Sequence, residues 1–275
     1  VTEVGTKERR TPCCGRGWPQ RDSAEHEGYA GALTDKRIIE NNNFDVDSGE
    51  NKLLERILSR ENLNRAYKQV KRNKGAHGVD GMEVEHLLQY LKDNGEELVK
   101  LVLDGKYRPN PVRRVEIPKD NGKMRKLGIP TAVDRVLQQA IAQVLSPIFE
   151  PQFVETSYGF RPGRSAHDAL RKCEEYANEG YTYVVDMDLE KFFDTVNQSK
   201  MIEILSRTIK DGRVISLIHK YLRAGAVDRG RFEETETGLV QGGNISPLCS
   251  NIMLNELDHE LERRGIRFVR YADDM

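Results

Sequence analysis

At 275 residues the chain is long enough for one large domain or two smaller ones, each with a buried core, so size is no obstacle to an enzyme. Cys13, Cys14, Cys173 and Cys249 form no C-x-x-C pair and the six histidines fall at no ligand spacing, which excludes a zinc site and a disulfide framework. The net charge of -1 argues, as an average, against a nucleic-acid partner, no apolar run reaches the roughly 18 residues of a membrane span, and the absence of a signal-peptide core makes the cytoplasm the expected location.

The charge is unevenly distributed along the chain. Residues 1–50 are polar and aperiodic and read as an N-terminal extension. Leu63, Ala66, Tyr67 and Val70 then fall at helical spacing, and Arg65, Lys68, Lys71, Arg72 and Lys74 cover the remaining faces with no acid among them. A charge run is also what a solvated helix face looks like. Leu87, Leu88 and Leu91, followed by Leu98, Leu101 and Val102, predict two short helices separated at Asn94-Gly95 and ended by Gly105. Val112 to Ile117 and Met124 to Ile129 predict a hairpin turning through Pro118 to Lys123, inside a stretch rich in lysine and arginine. A helix is expected from about Ala132 to Leu145, then a loop from Ser157 to Arg164, then a helix capped by Ser165 and ended by Gly180.

Tyr181 to Met187 has the composition of a buried strand, and two helical segments follow it. Gln241-Gly-Gly-Asn-Ile-Ser-Pro247 reads as a turn into a helix with Ser246 as cap and Pro247 in first position. Gly265 stops that helix, and Ile266 to Tyr271 is predicted as a strand with Ala272-Asp273-Asp274 at its end. The pattern describes an α+β layer whose strand ends carry acids.

Those acids carry the chemistry. Asp186-Met-Asp188-Leu-Glu-Lys-Phe-Phe193-Asp194 and Tyr271-Ala-Asp273-Asp274 are two acidic strand ends far apart in sequence. Phosphoryl transfer needs carboxylates that hold two divalent ions about 3.5–4 Å apart. A single aspartate after a strand is more often a turn or a helix cap. Adjacent Asp273 and Asp274 fit that reading less well, because neighbouring like charges repel unless a cation is present. All the ligands on offer are hard oxygens, which suit magnesium better than zinc.

With these residues in view, Tyr-Ala-Asp-Asp at 271–274 and the acidic segment at 184–194 resemble the two signature motifs of reverse transcriptases. Arg114-Val-Glu-Ile-Pro-Lys119, Gly122-Lys-Met-Arg125-Lys-Leu-Gly-Ile-Pro130, Ser157-Tyr-Gly-Phe-Arg-Pro162 and Gln241 to Pro247 resemble the finger hairpin and the template- and nucleotide-contacting motifs of bacterial group II intron-encoded reverse transcriptases and maturases. Nearly everything from Glu61 onward is covered. The resemblance implies an α+β fold of fingers over 51–180, including the basic hairpin 112–129, and a palm over 181–275 with an antiparallel sheet packed on helices. It implies RNA-directed DNA synthesis in which dNTPs are added to a primer 3′ end by two-metal phosphoryl transfer, with two Mg²⁺ ions as cofactors and Mn²⁺ able to substitute, coupled to intron splicing and mobility.

Residue by residue, Asp188 resembles the first metal ligand, being five residues ahead of Phe193, and Asp273 and Asp274 complete the site. Asp186 shares the strand face of Asp188, and Asp194 is expected beyond the metals. Phe193 resembles the side chain under the sugar that excludes a 2′-hydroxyl, core packing being its other reading. Lys119 and Arg125 resemble the cations that close over the triphosphate. Gln241, Gly242 and Gly243 resemble the segment beneath the templating pair, and also fit a plain turn. Tyr158, Phe160, Arg161 and Arg164 suit a template contact or, equally, an apolar plug with surface arginines. Arg65, Lys68, Lys71 and Arg72 are placed to grip intron RNA. The implied partners are RNA template, group II intron RNA, DNA primer or target and dNTPs, with no membrane and no stated oligomer.

The family pattern continues past the Tyr-Ala-Asp-Asp turn, whereas this sequence ends at Met275, so a palm cut short before the thumb, and feeble extension by this stretch alone, are expected. Two rival readings share the motifs: an RNA-binding splicing cofactor without polymerase activity, and a reverse transcriptase of a retron, diversity-generating element or defence system. The complete carboxylate set argues against the first, and the form of the Gln241 to Pro247 segment against the second.

Overall fold

A computed structural model describes residues 52–118, 122 and 124–275. The expected extension over 1–50 and the triphosphate-closing role of Lys119 fall outside them. The chain opens with three helices, α1 (Leu53–Ile57), α2 (Arg60–Arg72) and α3 (Leu87–Leu103). The Ser59 hydroxyl starts α2 by accepting the Asn62 N–H at 3.3 Å. Ala66 and Val70 then face the core while Arg65, Lys68, Lys71 and Arg72 stay exposed.

The two short helices expected around Asn94-Gly95 are one. Leu87, Leu98 and Val102 are buried along a stripe that keeps a single period through the glycine, and that burial outweighs the roughly 1 kcal/mol a mid-helix glycine costs. A Cβ at Gly95 meets no atom within 4 Å. Gly95→Ala is therefore expected to raise the unfolding free energy by about 1 kcal/mol, read as a higher melting temperature; an unchanged or lower midpoint counts against it.

Strands β1 (Val112–Pro118) and β2 (Met124–Ile129) form the expected antiparallel hairpin, with Ile117 opposite Arg125. A second hairpin that sequence reasoning missed, β3 (Ala226–Asp228) and β4 (Arg231–Glu233), joins β1 through a parallel pairing with β3. Its turn holds Arg229 and Gly230 at φ of 49° and 82°, left-handed values that a glycine there makes accessible. The result is a mixed sheet of order β2-β1-β3-β4.

Helix α4 (Ala132–Phe149) runs past its predicted end and through Pro147, and every residue from Ala132 to Leu145 is buried. It is the central rod of the molecule. Thr131 caps it, and the buried Asp134 carboxylate accepts the Tyr107 and Thr131 hydroxyls at 2.7 Å and the Asn110 N–H at 3.2 Å. Burial nonetheless pushes that carboxyl above the usual range, against the pull of these bonds. The helices α1 and α2 pack against α4, and after it come α5 (Ala166–Asn178), α6 (Phe192–Thr195), α7 (Gln198–Thr208), α8 (Gly212–Leu222) and α9 (Ser246–Arg263), of which α9 also packs on α4. Ser165 opens α5 with a full capping box to Asp168, as expected. Ser246 is the first residue of α9 rather than its cap, which is Ile245.

One hydrophobic cluster joins Leu54, Val70 and Leu87 to Leu137 and Ile141 of α4 and to Leu205, Ile218 and Ile252 of the C-terminal helices. The α+β class is as expected. No helix of the described residues is long and apolar enough to cross a membrane.

Candidate active site

The two acidic segments meet, but not as the regular strands expected. Residues 181–187 and 266–271 run extended without a ladder, and Tyr183, Val184 and Val185 are 97%, 88% and 77% exposed rather than buried. An apolar, β-branched run encodes strand propensity only, and a ladder also needs partners on its edges. Pairing is confined to the ends. Met187 and Met275 exchange both backbone bonds, at 2.9 and 3.1 Å. This makes Asp188 and Asp274 a directly opposed antiparallel pair of the kind without hydrogen bonds between them, with Cα atoms about 4.5 Å apart and side chains on one face.

Asp273 sits beside Asp274 in a turn closed by Tyr271 N–H to Asp274 O at 2.8 Å and Asp274 N–H to Tyr271 O at 3.2 Å. Burial, and then the charges of Asp273, Asp188 and Asp186, push the Asp274 carboxyl above the usual carboxylate range. A divalent cation would relieve that repulsion, and an all-carboxylate donor set suits a hard ion such as Mg²⁺, so the residues fit the expected metal in donor chemistry. Among the described residues, no three acids, histidines or cysteines stand close enough together to ligate one ion.

The turn itself is held in an uncommon shape. Ala272 has φ of 60°, a left-handed value that costs a residue with a Cβ roughly 1–2 kcal/mol. Behind it lies Arg270, which is fully buried. Its Nε and Nη2 donate to Asp258 at 2.8 and 2.6 Å, its Nη1 to Asn251 Oδ1 at 3.0 Å and to the Ala272 carbonyl at 2.9 Å, and its Nη2 to Ser157 Oγ at 2.8 Å. Asn251 and Asp258 are two turns apart on α9 and so share a face.

The Ser157 to Arg164 loop runs alongside. The Arg270 N–H donates to the Thr156 carbonyl and the Tyr158 N–H to the Arg270 carbonyl, both at 2.9 Å. Gly159 lets the turn come close: a Cβ there would lie 2.2 Å from the Ala272 nitrogen. Sequence reasoning singled out this loop for its aromatic and basic residues and missed Ser157, Gly159, Asn251, Asp258 and Arg270. The available clue was an arginine inside the apolar run before an acidic turn.

Arg161, whose loop the sequence leaves open between a template contact and an apolar plug, is 3% exposed, donates to Glu150 at 2.9 Å and to the carbonyls of Val154 and Ser157 at 2.6 and 2.8 Å, and so holds its own loop. Arg164 lies nearer the surface, paired with Glu155 and 5.5 Å from the Tyr158 ring centroid. Arg161→Ala is expected to cost about 3 kcal/mol of stability by stranding a buried network, and Arg164→Ala under about 1, in urea denaturation; equal losses would overturn the distinction.

Gly242 has φ of 111°, and a Cβ there would meet the Gly128 carbonyl at 2.6 Å. At Gly243 a Cβ would meet Ser246 Oγ at 2.8 Å. Close packing against β2 and α9 thus accounts for both glycines, and the Gln241 carbonyl accepts the Gly128 N–H at 2.8 Å. This ties the segment to the base of the basic hairpin, where Arg125 is exposed on β2. Phe193 is buried in the core, edge-on to Phe192 at 5.7 Å. On α2 the exposed cations are only locally engaged: Arg65 donates to Asn62 at 3.2 Å, Lys71 lies 6.0 Å from the Tyr67 ring centroid, and Arg72 reaches Gln69.

Comparison with known proteins follows this geometry. The family described as reverse transcriptase (RNA-dependent DNA polymerase) matches residues 117–275. Protein YkfC of Escherichia coli K12 is 42% identical over 219 residues, covering 78% of this chain and 58% of that protein. The group II intron-encoded protein LtrA of Lactococcus lactis is 34% identical over 240 residues, covering 87% of this chain and 40% of its own length. Among solved structures, a chain of a partial Cas6-RT-Cas1–Cas2 complex superposes with a TM-score of 0.53 at 23% identity, over 81% of this chain and 37% of that one, a likeness of fold alone. The chain therefore spans about half the length of these curated relatives.

Proposed function

Because the chain belongs to the reverse transcriptase family and its relatives include group II intron-encoded proteins, we propose that it is the catalytic part of an intron-encoded RNA-directed DNA polymerase that adds dNTPs to a primer 3′ end. The observation that carries this reading is the antiparallel bridge that sets Asp188 opposite Asp274, beside Asp273, so that acids from two distant segments meet; burial first, and then the charges of Asp273, Asp188 and Asp186, raise the Asp274 carboxyl. Asp188, Asp273 and Asp274 are the residues that would hold the metal. Two Mg²⁺ ions, if bound there, would supply Lewis acidity toward the attacking hydroxyl and the triphosphate. Arg125, on the exposed arm of the hairpin, binds the triphosphate, with Lys119 at the turn beside it. Gln241 and its glycines carry the nascent pair over the base of the hairpin, and Phe193 limits the room beneath the sugar.

The test is primer extension by the full-length gene product on an RNA template with Mg²⁺. DNA synthesis that disappears in Asp273→Ala supports the reading, and rejection of rNTPs that is relaxed in Phe193→Val supports the sugar role. A folded, RNA-binding protein that makes no DNA would overturn it in favour of a splicing cofactor.

The exposed cations of α2 favour intron RNA as a further partner, by counterion release from a basic face. Replacing Arg65, Lys68, Lys71 and Arg72 by alanine is expected to lower the slope of log K against log[salt] by about 3 units for intron RNA. An unchanged slope removes α2 from the RNA interface.

A further inference from the structure

We propose that Arg270 is the positioning residue of the acidic turn: its buried guanidinium, clamped by Asp258 and Asn251 of α9 and by Ser157, holds the Ala272 carbonyl and thereby sets where Asp273 and Asp274 present their carboxylates. The inference rests on the reading of those aspartates as metal ligands.

Three observations carry it. First, all three guanidinium nitrogens are used, and they connect three separate elements: helix α9, the Ser157 loop and the turn itself. A rigid planar fork suits this better than the flexible ammonium of lysine. Second, the turn is not self-sufficient. Ala272 occupies a left-handed conformation unusual for a residue with a Cβ, and such a conformation persists where its surroundings over-determine it. Here the surroundings are the Arg270 bond to the Ala272 carbonyl on one side and the backbone of Gly159 on the other, which is itself fixed by Asn251 Nδ2 to the Gly159 carbonyl at 2.8 Å. Asn251 thus bonds the arginine and the loop at once. Third, a fully buried ion pair is poor stability engineering: apolar replacements of both partners are often neutral or stabilising. A charged pair placed directly behind a turn of acids is better explained by the geometry it imposes, as the partners that orient metal ligands do elsewhere.

The decisive variant removes both charges together, Arg270→Met with Asp258→Leu, so that neither is stranded. Thermal melting, amide hydrogen exchange at Tyr271 and Asp274, and Mn²⁺ binding by electron paramagnetic resonance are measured on the full-length gene product. Cooperative melting close to the parent is expected, with exchange at those two amides faster by about tenfold or more and Mn²⁺ affinity lower by about 10–100-fold. In extension assays kcat falls while the KM for dNTP stays within about twofold, since the triphosphate cations are untouched.

Parental exchange and parental Mn²⁺ affinity in a folded double variant would overturn the proposal and leave the pair as packing. If the double variant does not melt cooperatively, Arg270→Lys decides on the same readouts, because it keeps a cation for Asp258 and removes the planar fork that reaches the Ala272 carbonyl: faster exchange at the turn supports the proposal, and parental exchange overturns it. Asp273→Asn separates this from the functional reading. Should that variant leave Mn²⁺ binding intact, the metal-ligand reading fails, and exchange at Tyr271 and Asp274 alone decides whether Arg270 anchors the turn.

Discussion

Asp188→Asn is expected to lower primer extension by roughly a thousandfold or more, while its melting temperature stays equal to the parent's or rises slightly. The two halves have one origin. Asp188 faces Asp274 directly across the antiparallel bridge, and its charge is among those that push the Asp274 carboxyl upward. Removing it relieves a repulsion in the folded state, and because Asp188 is exposed the amide strands no buried partner. The same change deletes a hard oxygen ligand, and each kcal/mol of lost transition-state stabilisation is multiplied through the rate. Steady-state extension and differential scanning on one preparation check both. Extension within about tenfold of the parent would remove Asp188 from the site, and a large fall in melting temperature would assign it to the fold instead.

How much of this was legible in the sequence depends on range. Contacts closed within one turn or one hairpin were legible: the β1–β2 pairing, the Ser165 capping box and the acidic character of the two segments follow from residues a few positions apart. The break at Asn94-Gly95 was misread because a local turn preference was weighed against a stripe whose burial depends on a core assembled from distant parts of the chain. The strands at 181–187 and 266–271 were misread because propensity does not specify a partner.

At the site the asymmetry is sharper. Carboxylates advertise themselves by type and adjacency, whereas the groups that hold them, Arg270, Asp258, Asn251, Ser157 and Gly159, are scattered over more than a hundred positions and look ordinary until folded. Arg161 shows how residue type alone leaves two readings open. An arginine in a glycine-bearing aromatic loop looks like a nucleic-acid contact, yet its donors are consumed by Glu150 and two carbonyls.

Asp134→Ala is expected to cost about 3 kcal/mol of stability, and Asp134→Asn less than half of that. The carboxylate divides its work between two oxygens. Oδ1 receives the Tyr107 hydroxyl, while Oδ2 receives the Thr131 hydroxyl and the backbone N–H of Asn110. Alanine strands all of these donors in a buried place. Asparagine keeps one oxygen for Thr131 and Asn110, and its amide can donate to Tyr107, whose hydroxyl is free to turn round and accept. The two variants therefore differ in unsatisfied donors rather than in volume, which urea denaturation resolves directly. Equal losses would show that the negative charge, not the hydrogen-bond count, is what the site uses. The consequence reaches the chemistry through Asn110, two residues before β1. Releasing it loosens the root of the hairpin that presents Arg125, so in Asp134→Ala the KM for dNTP should rise several-fold while Asp134→Asn keeps it near the parental value. A KM unchanged in both would confine Asp134 to the stability of α4 and cut the connection to the hairpin.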